Sequence, residues 1–196
     1  INKFYYIGGN DSSDSLRIIS QYSRQKGYNL QCIHVPKTID NDLVYNDHTP
    51  GFGSAAKYVA QLFSGINFDV RSLPGVYIGV VMGRHAGFLT ASSSLLRSKG
   101  SDGPHLIFIP EFSFNINDFI NNINSVFNKY GRCVVAVSEG IKDKNNILYT
   151  KKIQASNEYD DHGNIQLSGS GMLGDFLANE VKNKLKISRV RADTLG

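Results

Sequence analysis

The sequence predicts an α/β fold with a mostly parallel sheet, because strand-type and helix-type patterns alternate along nearly the whole chain. Runs rich in apolar residues predict strands at 4–7, 32–35, 76–81, 106–109 and 134–137, and a last strand begins at 188–191. Apolar residues at helical spacing predict helices at 14–26, 54–63, 86–96, 116–130 and 171–185. Strands joined by helices of this length form βαβ units, whose strands lie parallel.

Residues at the ends of these segments agree with the assignment. Glycine and proline interrupt strands and end helices, and serine is a common N-cap. Such residues flank the early segments: Gly8-Gly9, Gly27, Pro36, Ser54 and Gly65. We expect Ser54 to be the N-cap of the second helix and Gly65 to follow the end of that helix. The polar stretch 142–171 is rich in Asn, Asp and Gly, which predicts a long surface loop or hairpin.

The composition is that of an ordinary globular protein. Hydrophobic residues make up 41% and charged residues 19%, and the formal net charge is +4. No Lys/Arg run suggests a nucleic-acid-binding tail, and no apolar run is long enough to cross a membrane. The pattern of the first residues also predicts no signal peptide. We therefore expect neither nucleic acid nor a membrane as a partner.

The two cysteines and the chain ends carry further expectations. Cys32 and Cys133 each lie in a short apolar run, which predicts buried free thiols and a reducing, cytoplasmic location. Residues 1–9 begin almost directly in a strand, and 189–196 stop as another strand ends. Domains usually end in exposed polar segments, so we expect a fragment of a longer chain.

Polar and glycine-rich segments follow several predicted strands, and in open α/β sheets ligands bind at the carboxyl ends of strands. We expect four of these segments to lie at the same sheet edge: those containing Gly8-Gly9-Asn10-Asp11, Lys37 to Asp42, Met82-Gly83-Arg84 and Ser138-Glu139-Gly140. Adjacent glycines let a backbone approach a phosphate closely.

Two carboxylates in the second segment suggest acid–base chemistry. Asp40 and Asp42 lie two apart, so in an extended segment they point the same way. One could accept a proton from a hydroxyl while the other orients it or holds a metal ion. Lys37 and Arg84 could supply positive charge to a transferring phosphoryl group. Each feature alone also fits a turn, a helix cap or an exposed side chain.

The heptapeptide Pro-Lys-Thr-Ile-Asp-Asn-Asp at 36–42 closely resembles a signature of the phosphofructokinase family. Further matching segments occur in the family's order: Gly8-Gly9, Gly51 to Ala55, Met82 to Gly87, Ile109-Pro110-Glu111, Val137 to Gly140 and Arg191 to Gly196. The resemblance covers essentially the whole chain. It implies the Rossmann-like three-layer sandwich of that family, with residues 1–53 part of the phosphoryl-donor-binding domain and 54–196 most of the fructose-6-phosphate-binding domain.

The resemblance also implies roles for individual residues. Asp40 matches the general base that deprotonates the 1-hydroxyl of fructose 6-phosphate, and Asp42 matches the residue that assists it and helps position magnesium. The remaining matches concern substrate binding. Thr38 matches a residue that contacts the transferred phosphoryl group, and Met82, Gly83 and Arg84 match the segment that contacts the sugar and the reacting phosphate. Glu139 matches a carboxylate that binds sugar hydroxyls, and Arg191 matches an arginine that reaches the 6-phosphate. In many members that arginine acts across a subunit interface, which implies a homo-oligomer.

Two positions indicate pyrophosphate as the donor in this glycolytic reaction. Members that use ATP generally have glycine where Asp11 and Lys37 stand, whereas members that use pyrophosphate resemble this sequence at both positions. A carboxylate at Asp11 would repel a nucleotide's α-phosphate, and the Lys37 ammonium would replace binding energy lost with the nucleoside. Gly8 and Gly9 complete the expected donor site. The segment 161–167 is similar to one in a subgroup that uses pyrophosphate.

Three departures from the family pattern affect these expectations. Asn10 stands where an aspartate of the magnesium site is usual, so the expected ligands of Mg²⁺ are Asn10, Asp11 and Asp42. Gly75 stands where a phosphate-binding arginine is usual. The family's early glycine-rich donor loop would precede Ile1, and a Gln-Arg pair would follow Gly196, so we expect this fragment alone to be inactive.

Two other functions stay open at this point. One is an ATP-dependent 6-phosphofructokinase, and the other is a regulatory module that binds a sugar phosphate without turnover. Asp40, Asp42, Lys37 and Arg84 argue against the module, because a site that only binds needs no base. An NAD-binding domain is disfavoured, because the sequence lacks the G-x-G-x-x-G turn.

Overall fold

A computed structural model describes residues 1–153 and 171–195. The chain divides into two compact units, Ile1–Ala55 and Ala56–Gly196. No helix among the described residues combines the length and the apolar character needed to cross a membrane. Each unit is described by itself below, as the N-terminal unit and the C-terminal unit.

The N-terminal unit is a βαβ unit. Its elements are β1 (Lys3–Gly8), α1 (Asn10–Gln25) and β2 (Gln31–Pro36). Strands β1 and β2 pair in parallel, from Lys3 opposite Gln31 to Gly8 opposite Pro36. Helix α1 buries Leu16 and is followed by Gly27 at φ 68°, a left-handed conformation that glycine adopts without steric cost. Both strands therefore end next to the Gly8-Gly9 turn.

The C-terminal unit contains a second parallel sheet. Helix α2 (Phe52–Ser72) begins in the N-terminal unit and continues into this one, and the later elements are β3 (Val76–Val81), α3 (Phe88–Ser92), β4 (Leu106–Phe108), α4 (Ile116–Tyr130), β5 (Cys133–Ser138), α5 (Tyr149–Ile153), α6 (Met172–Leu185) and β6 (Val190–Leu195). The strand order is β4-β5-β3-β6, and every pair in it is parallel. The α/β class and the parallel pairing are thus as predicted.

The hydrophobic core lies on the central strands of the C-terminal unit. All six residues of β3 and all six of β5 are buried, as expected for parallel strands covered on both faces. Phe119 and Ile123 of α4 and Leu177 of α6 pack into the same core and are completely buried. Because the two strands form this rigid centre, the segments that follow them start from well-defined positions.

Helix α2 is longer than predicted. It runs to Ser72 and passes through Gly65, which was expected to follow its end. The helix continues because it buries Phe63, Asn67 and Val70 on one face, and this packing outweighs the roughly 1 kcal/mol cost of a glycine inside a helix. Its first residue is Phe52, so Ser54 lies in the first turn and is not the N-cap.

Helix α3 is shorter than predicted, with five residues in place of the segment 86–96. The hydroxyls of Ser92, Ser93 and Ser94 each donate to the carbonyl three residues earlier, at 2.6, 2.5 and 3.0 Å. Serine hydroxyls that bond the local backbone compete with helical bonding, so this serine run ends the helix.

The polar stretch after β5 is not all loop, because α5 lies within it. The predicted pyrophosphate-type segment 161–167 falls outside the described residues.

Both cysteines are free, as predicted. Cys133 is buried, and its burial raises the pKa of the thiol to about 12. Cys32 is partly exposed, contrary to prediction. Strand β2 belongs to a two-stranded sheet, and none of its residues is fully buried.

The expectation of one shared sheet edge is wrong. Within the described residues, β1 and β2 form their own sheet, and β3 and β5 belong to the other. The four polar segments therefore divide into two pairs, one pair in each unit. Alternation of strands and helices predicts parallel pairing, but it does not state which strands share a sheet.

Candidate functional site

In the N-terminal unit the site begins at the turn between β1 and α1. The Gly8 carbonyl accepts hydrogen bonds from the Lys37 backbone N–H at 2.9 Å and from His34 Nε2 at 3.0 Å. A side chain at Gly8 would put its Cβ 2.0 Å from Ser12 Oγ, so only glycine fits this close turn. Helix α1 starts immediately afterwards, at Asn10. Its first N–H groups lie at the carboxyl ends of β1 and β2, and the start of a helix carries partial positive charge.

The signature segment follows β2 and is folded back on itself. Asn41 has φ 57° and is buried, and its Oδ1 accepts from the Thr49 backbone N–H at 2.8 Å and from the Thr49 hydroxyl at 3.0 Å. The Thr49 hydroxyl also lies 2.5 Å from the Thr38 carbonyl, to which it can donate. The expected extended segment is therefore wrong, because Asn41 takes a left-handed conformation that its own side chain stabilises. Asp40 and Asp42 on either side of it are half-buried.

A side-chain hydrogen bond joins the turn to the signature segment. Asn10 Nδ2 donates to Asp42 Oδ2 at 2.7 Å. Thr38 Oγ1 accepts from the Asp40 backbone N–H at 3.2 Å. The side chains of Asp11 and Lys37 are exposed. The N-terminal unit thus brings together the residues predicted for the base and the donor: Gly8, Gly9, Asn10, Asp11, Lys37, Thr38, Asp40 and Asp42.

In the C-terminal unit, the segments after β3 and β5 interlock. Gly83 has φ 136°, and a Cβ there would lie 2.5 Å from the Ala86 carbonyl oxygen, so the position requires glycine. The Gly83 N–H donates to Glu139 Oε1 at 3.3 Å, and its carbonyl accepts from the Ser138 hydroxyl at 2.6 Å. Ser138 Oγ also accepts from the Gly140 N–H at 3.1 Å.

These bonds place predicted sugar-binding residues at the carboxyl edge of the C-terminal sheet. Glu139 is 8% exposed, while Met82 and Arg84 are half-buried. A Cβ at Gly140 would lie 2.2 Å from the Arg84 carbonyl oxygen, so the two segments touch backbone to backbone. Met82, Gly83, Arg84 and Glu139 are therefore neighbours in the C-terminal unit.

Arg191 lies elsewhere on the same sheet. It pairs with Tyr77, four residues before Leu195, which pairs with Val81 at the edge. At about 3.3 Å per residue, Arg191 is roughly 13 Å from that edge. Its guanidinium lies 3.4 Å from Asp69 Oδ2. The structure therefore does not bring Arg191 to Glu139 within one chain.

The departure at Gly75 has a local explanation. A Cβ at this position would lie 2.6 Å from the Arg189 carbonyl oxygen and 3.0 Å from Arg189 Cβ. The same carbonyl accepts the Val76 N–H at 2.9 Å, so it is fixed by the pairing of β3 with β6. An arginine at this position would require the strand to move.

Sequence reasoning assigned no role to three residues that shape these segments: His34, Thr49 and Ser138. Their types and spacing resemble those of ordinary strand and loop residues, and their importance lies in bonds to distant backbone. Thr49 and Ser138 are completely buried. A buried hydroxyl implies a hydrogen-bond partner, but a sequence pattern does not name that partner.

Comparison with known proteins decides the family. The family model described as Phosphofructokinase matches residues 1–196. The chain belongs to the phosphofructokinase family. The sequence is 58% identical over 196 residues to pyrophosphate–fructose 6-phosphate 1-phosphotransferase of Rhodospirillum rubrum, covering 100% of this chain and 48% of that protein. It is 41% identical over 186 residues to the protein of that name from Xanthomonas campestris, covering 93% of this chain and 43% of that protein.

A solved structure supports the phosphofructokinase fold. Pyrophosphate-dependent phosphofructokinase from Nitrosospira multiformis superposes with a TM-score of 0.76 and 35% identity, over 99% of this chain and 44% of that one. The predicted family and fold class are therefore confirmed. The chain spans about half the length of the curated relatives it matches.

Proposed function

We propose that the complete protein transfers a phosphoryl group from pyrophosphate to the 1-hydroxyl of fructose 6-phosphate, giving fructose 1,6-bisphosphate and phosphate in glycolysis. The observation that carries this proposal is the bonding of the signature segment, which holds Asp42 against the first residue of α1, with Asp40 two residues earlier in the same folded segment. A carboxylate next to an anion-binding helix end suits removal of a hydroxyl proton close to a bound phosphate. The names of the Rhodospirillum rubrum and Xanthomonas campestris relatives agree with this reaction.

In the proposed reaction Asp40 accepts the proton of the 1-hydroxyl. The resulting oxygen attacks the nearer phosphorus of pyrophosphate, the bridging P–O bond breaks, and phosphate leaves with the electrons of that bond. Lys37 and Arg84 neutralise charge on the transferring group. The Gly8-Gly9 turn and the N-terminus of α1 bind the departing phosphate. Thr38 contacts the transferring group through its hydroxyl.

The sugar side of the proposal rests on the C-terminal unit. Glu139 would accept hydrogen bonds from sugar hydroxyls, next to Met82 and Gly83. Arg191 would bind the 6-phosphate of a sugar held by another copy, because it lies far from Glu139 in its own chain. A homo-oligomer follows from that role. We accordingly assign residues 1–53 to the donor-binding domain and 54–196 to the fructose-6-phosphate-binding domain.

The donor is proposed to be pyrophosphate because of Asp11 and Lys37. Asp11 lies in the first turn of α1, where a nucleotide's α-phosphate would meet its negative charge. Lys37 follows β2 directly, with its backbone bonded to Gly8. The free cysteines agree with a cytoplasmic enzyme, since disulfides are rare in that compartment.

Mg²⁺ is the cation this chemistry calls for, and its proposed ligands are Asn10, Asp11 and Asp42. The Asn10 amide N–H donates to Asp42 Oδ2, whereas Asp42 Oδ1 is buried and has no hydrogen-bond partner among the described residues, so this oxygen would face the ion. Among residues 1–153 and 171–195, no group of three or more His, Cys, Asp or Glu side chains is arranged to hold a metal, so asparagine and phosphate oxygens would have to complete the shell. When bound, the ion would neutralise charge on the phosphoryl oxygens.

The test is Asp40→Ser in the complete protein. We expect kcat to fall by roughly a hundredfold to ten-thousandfold, the range for loss of a general base, while the dissociation constant of fructose 6-phosphate stays nearly unchanged. Asp47→Ser is the matched control, because it removes an exposed carboxylate from the same loop. An Asp40→Ser variant that keeps kcat and changes only KM would assign Asp40 a structural role and overturn the proposal.

A further inference from the structure

Two arginines at the start of β6 share one carboxylate of α2. Arg189 Nη2 lies 3.5 Å from Asp69 Oδ2, and Arg191 Nη1 donates to the same oxygen at 3.4 Å. Residues two apart in an extended segment point to the same side, so the two side chains leave the backbone together. Their guanidinium groups therefore converge on one point at the surface of the C-terminal unit.

The stem of Arg189 fills the space beside Gly75. Strands β3 and β6 pair with Val76 opposite Val190, so positions 75 and 189 are neighbours across the two strands. A Cβ at position 75 would lie 3.0 Å from both Cβ and Cγ of Arg189. The space beside position 75, where the family pattern has a phosphate-binding arginine, thus holds the stem of an arginine that comes from the neighbouring strand.

Asp69 holds the two guanidinium groups loosely. Charge-assisted bonds between a guanidinium and a carboxylate are usually about 2.7–2.9 Å long, and both contacts of Asp69 are longer. The side chains are 31% exposed at Arg189, 52% at Arg191 and 45% at Asp69. Ion pairs this exposed contribute little to stability. A phosphate monoester, which is close to doubly charged at neutral pH, can therefore displace the carboxylate.

The other carboxylate on this side of β6 is already engaged. Asp193 lies two residues beyond Arg191 and has a hydrogen bond with the Tyr77 hydroxyl. Burial, together with that bond, raises the pKa of Tyr77, so its hydroxyl stays protonated and can donate to Asp193. Two guanidinium groups thus face the single carboxylate of Asp69, and the local charge favours an anion.

We infer that Arg189 is a second ligand of the sugar 6-phosphate and takes over the role of the arginine that is missing at Gly75. Arg189 and Arg191 bind the phosphate of a sugar held by another copy of the chain, and Asp69 occupies the place of that phosphate until it arrives. The identity of the sugar and its binding across copies rest on the proposed function. The pairing of the two arginines rests on their contacts with Asp69 and Gly75.

The test measures the dissociation constant of fructose 6-phosphate by calorimetry on the complete protein, and KM for both substrates by steady-state kinetics. Arg189→Gln keeps the stem beside Gly75 and removes the guanidinium. It should raise both constants for fructose 6-phosphate roughly ten- to a hundredfold, the range for a lost hydrogen bond to a charged group. KM for pyrophosphate should stay unchanged, because its proposed site lies in the N-terminal unit. Arg189→Lys keeps the charge without the planar fork, so its effect should be intermediate.

Lys182→Ala is the matched control, because it removes an exposed positive charge from the same unit. It should alter neither constant for fructose 6-phosphate. Asp69→Asn removes the competing charge and should lower the dissociation constant severalfold, whereas a carboxylate that merely supports the arginines would make binding weaker when lost.

An Arg189→Gln protein that melts like the wild type and binds fructose 6-phosphate equally well overturns the inference. If that variant does not fold, Asp69→Asn decides, since unchanged or weaker binding contradicts the displacement of Asp69 by phosphate. A wild type that does not bind fructose 6-phosphate contradicts the proposed function instead. Inorganic phosphate is then the probe, and equal affinity of the wild type and Arg189→Gln for it overturns the inference as well.

Discussion

Thr49 binds Asn41 through its backbone N–H, which donates to Asn41 Oδ1 at 2.8 Å. The single hydroxyl proton of Thr49 is shared between the Thr38 carbonyl oxygen at 2.5 Å and Asn41 Oδ1 at 3.0 Å. A completely buried side chain thus connects both ends of the segment that carries Asp40. We expect it to fix the position of the proposed base.

Replacing Thr49 by valine removes the hydroxyl and keeps the shape. The Thr38 carbonyl then loses a buried donor, which should lower the free energy of unfolding by about 1–3 kcal/mol and reduce kcat as well. Thr90→Val is the matched control, because Thr90 is equally buried and its hydroxyl makes no hydrogen bond within the described residues. Thermal unfolding and steady-state kinetics measure both effects; equal losses in the two variants would contradict this role.

Ser138→Ala should weaken sugar binding. Its hydroxyl bridges Gly83 and Gly140, so its loss frees the two segments that position Met82 and Glu139. One hydrogen bond contributes about 0.5–1.5 kcal/mol, so we expect KM for fructose 6-phosphate to rise by roughly two- to tenfold with a smaller change in kcat. Ser94→Ala is the matched control, because its hydroxyl donates to the nearby Ala91 carbonyl, and this change should leave KM unchanged.

Asp11 and Lys37 should together select the donor. Asp11→Gly removes the charge that repels a nucleotide, so activity with ATP should increase while pyrophosphate stays preferred. Adding Lys37→Gly should lower the activity with pyrophosphate more than the activity with ATP, mainly through kcat. The reason is that pyrophosphate has no adenosine to make other contacts with the protein. The measurement is kcat/KM for both donors in wild type, both single variants and the double variant. A wild type that prefers ATP would refute the donor assignment.

Arg191→Ala and Asp40→Ser should complement each other in mixed oligomers. Each variant alone lacks a group that every site needs. In a mixed dimer, one of the two sites combines an intact Asp40 with an Arg191 from the other subunit. If Arg191 serves the site of another copy, about half of the sites in mixed dimers should therefore become active. Mixing two samples of Arg191→Ala serves as the control. Mixed oligomers that remain inactive would show that Arg191 does not serve another copy.

Asp102 should make stability depend on acid pH. The backbone N–H of Lys99 donates to its carboxylate, and with the bonds from Ser98 it lowers the pKa of Asp102 from 3.8 to about 2. A carboxyl whose folded pKa is lowered stabilises the protein above its unfolded pKa and loses that contribution as pH falls. The stability gap between wild type and Asp102→Asn should therefore be constant above pH 3.8 and shrink toward about pH 2. Thermal unfolding across this range measures it, and a gap unaffected by pH would contradict the assignment.

The predictions from sequence succeeded where the signal is local. The strand Val76–Val81 and the helix Ile116–Tyr130 have the predicted bounds, because a continuous apolar run and a clear helical period with Asn115 and Gly131 at its ends leave few alternatives. Predictions failed where neighbouring groups override a local rule, as at Gly65 inside α2 and in the serine run that ends α3.

The sequence by itself determined the family, the α/β class and the residue types of the site, because the signature at 36–42 and its companion segments are contiguous in the chain. Only the tertiary structure decided that the strands divide between two sheets and that Arg191 lies far from Glu139. It also decided the bonds from Asn10 to Asp42 and from Ser138 to Gly83, which span 32 and 55 residues. Hydrogen bonds over such separations depend on how whole strands and helices pack, and no local pattern of residues encodes that packing.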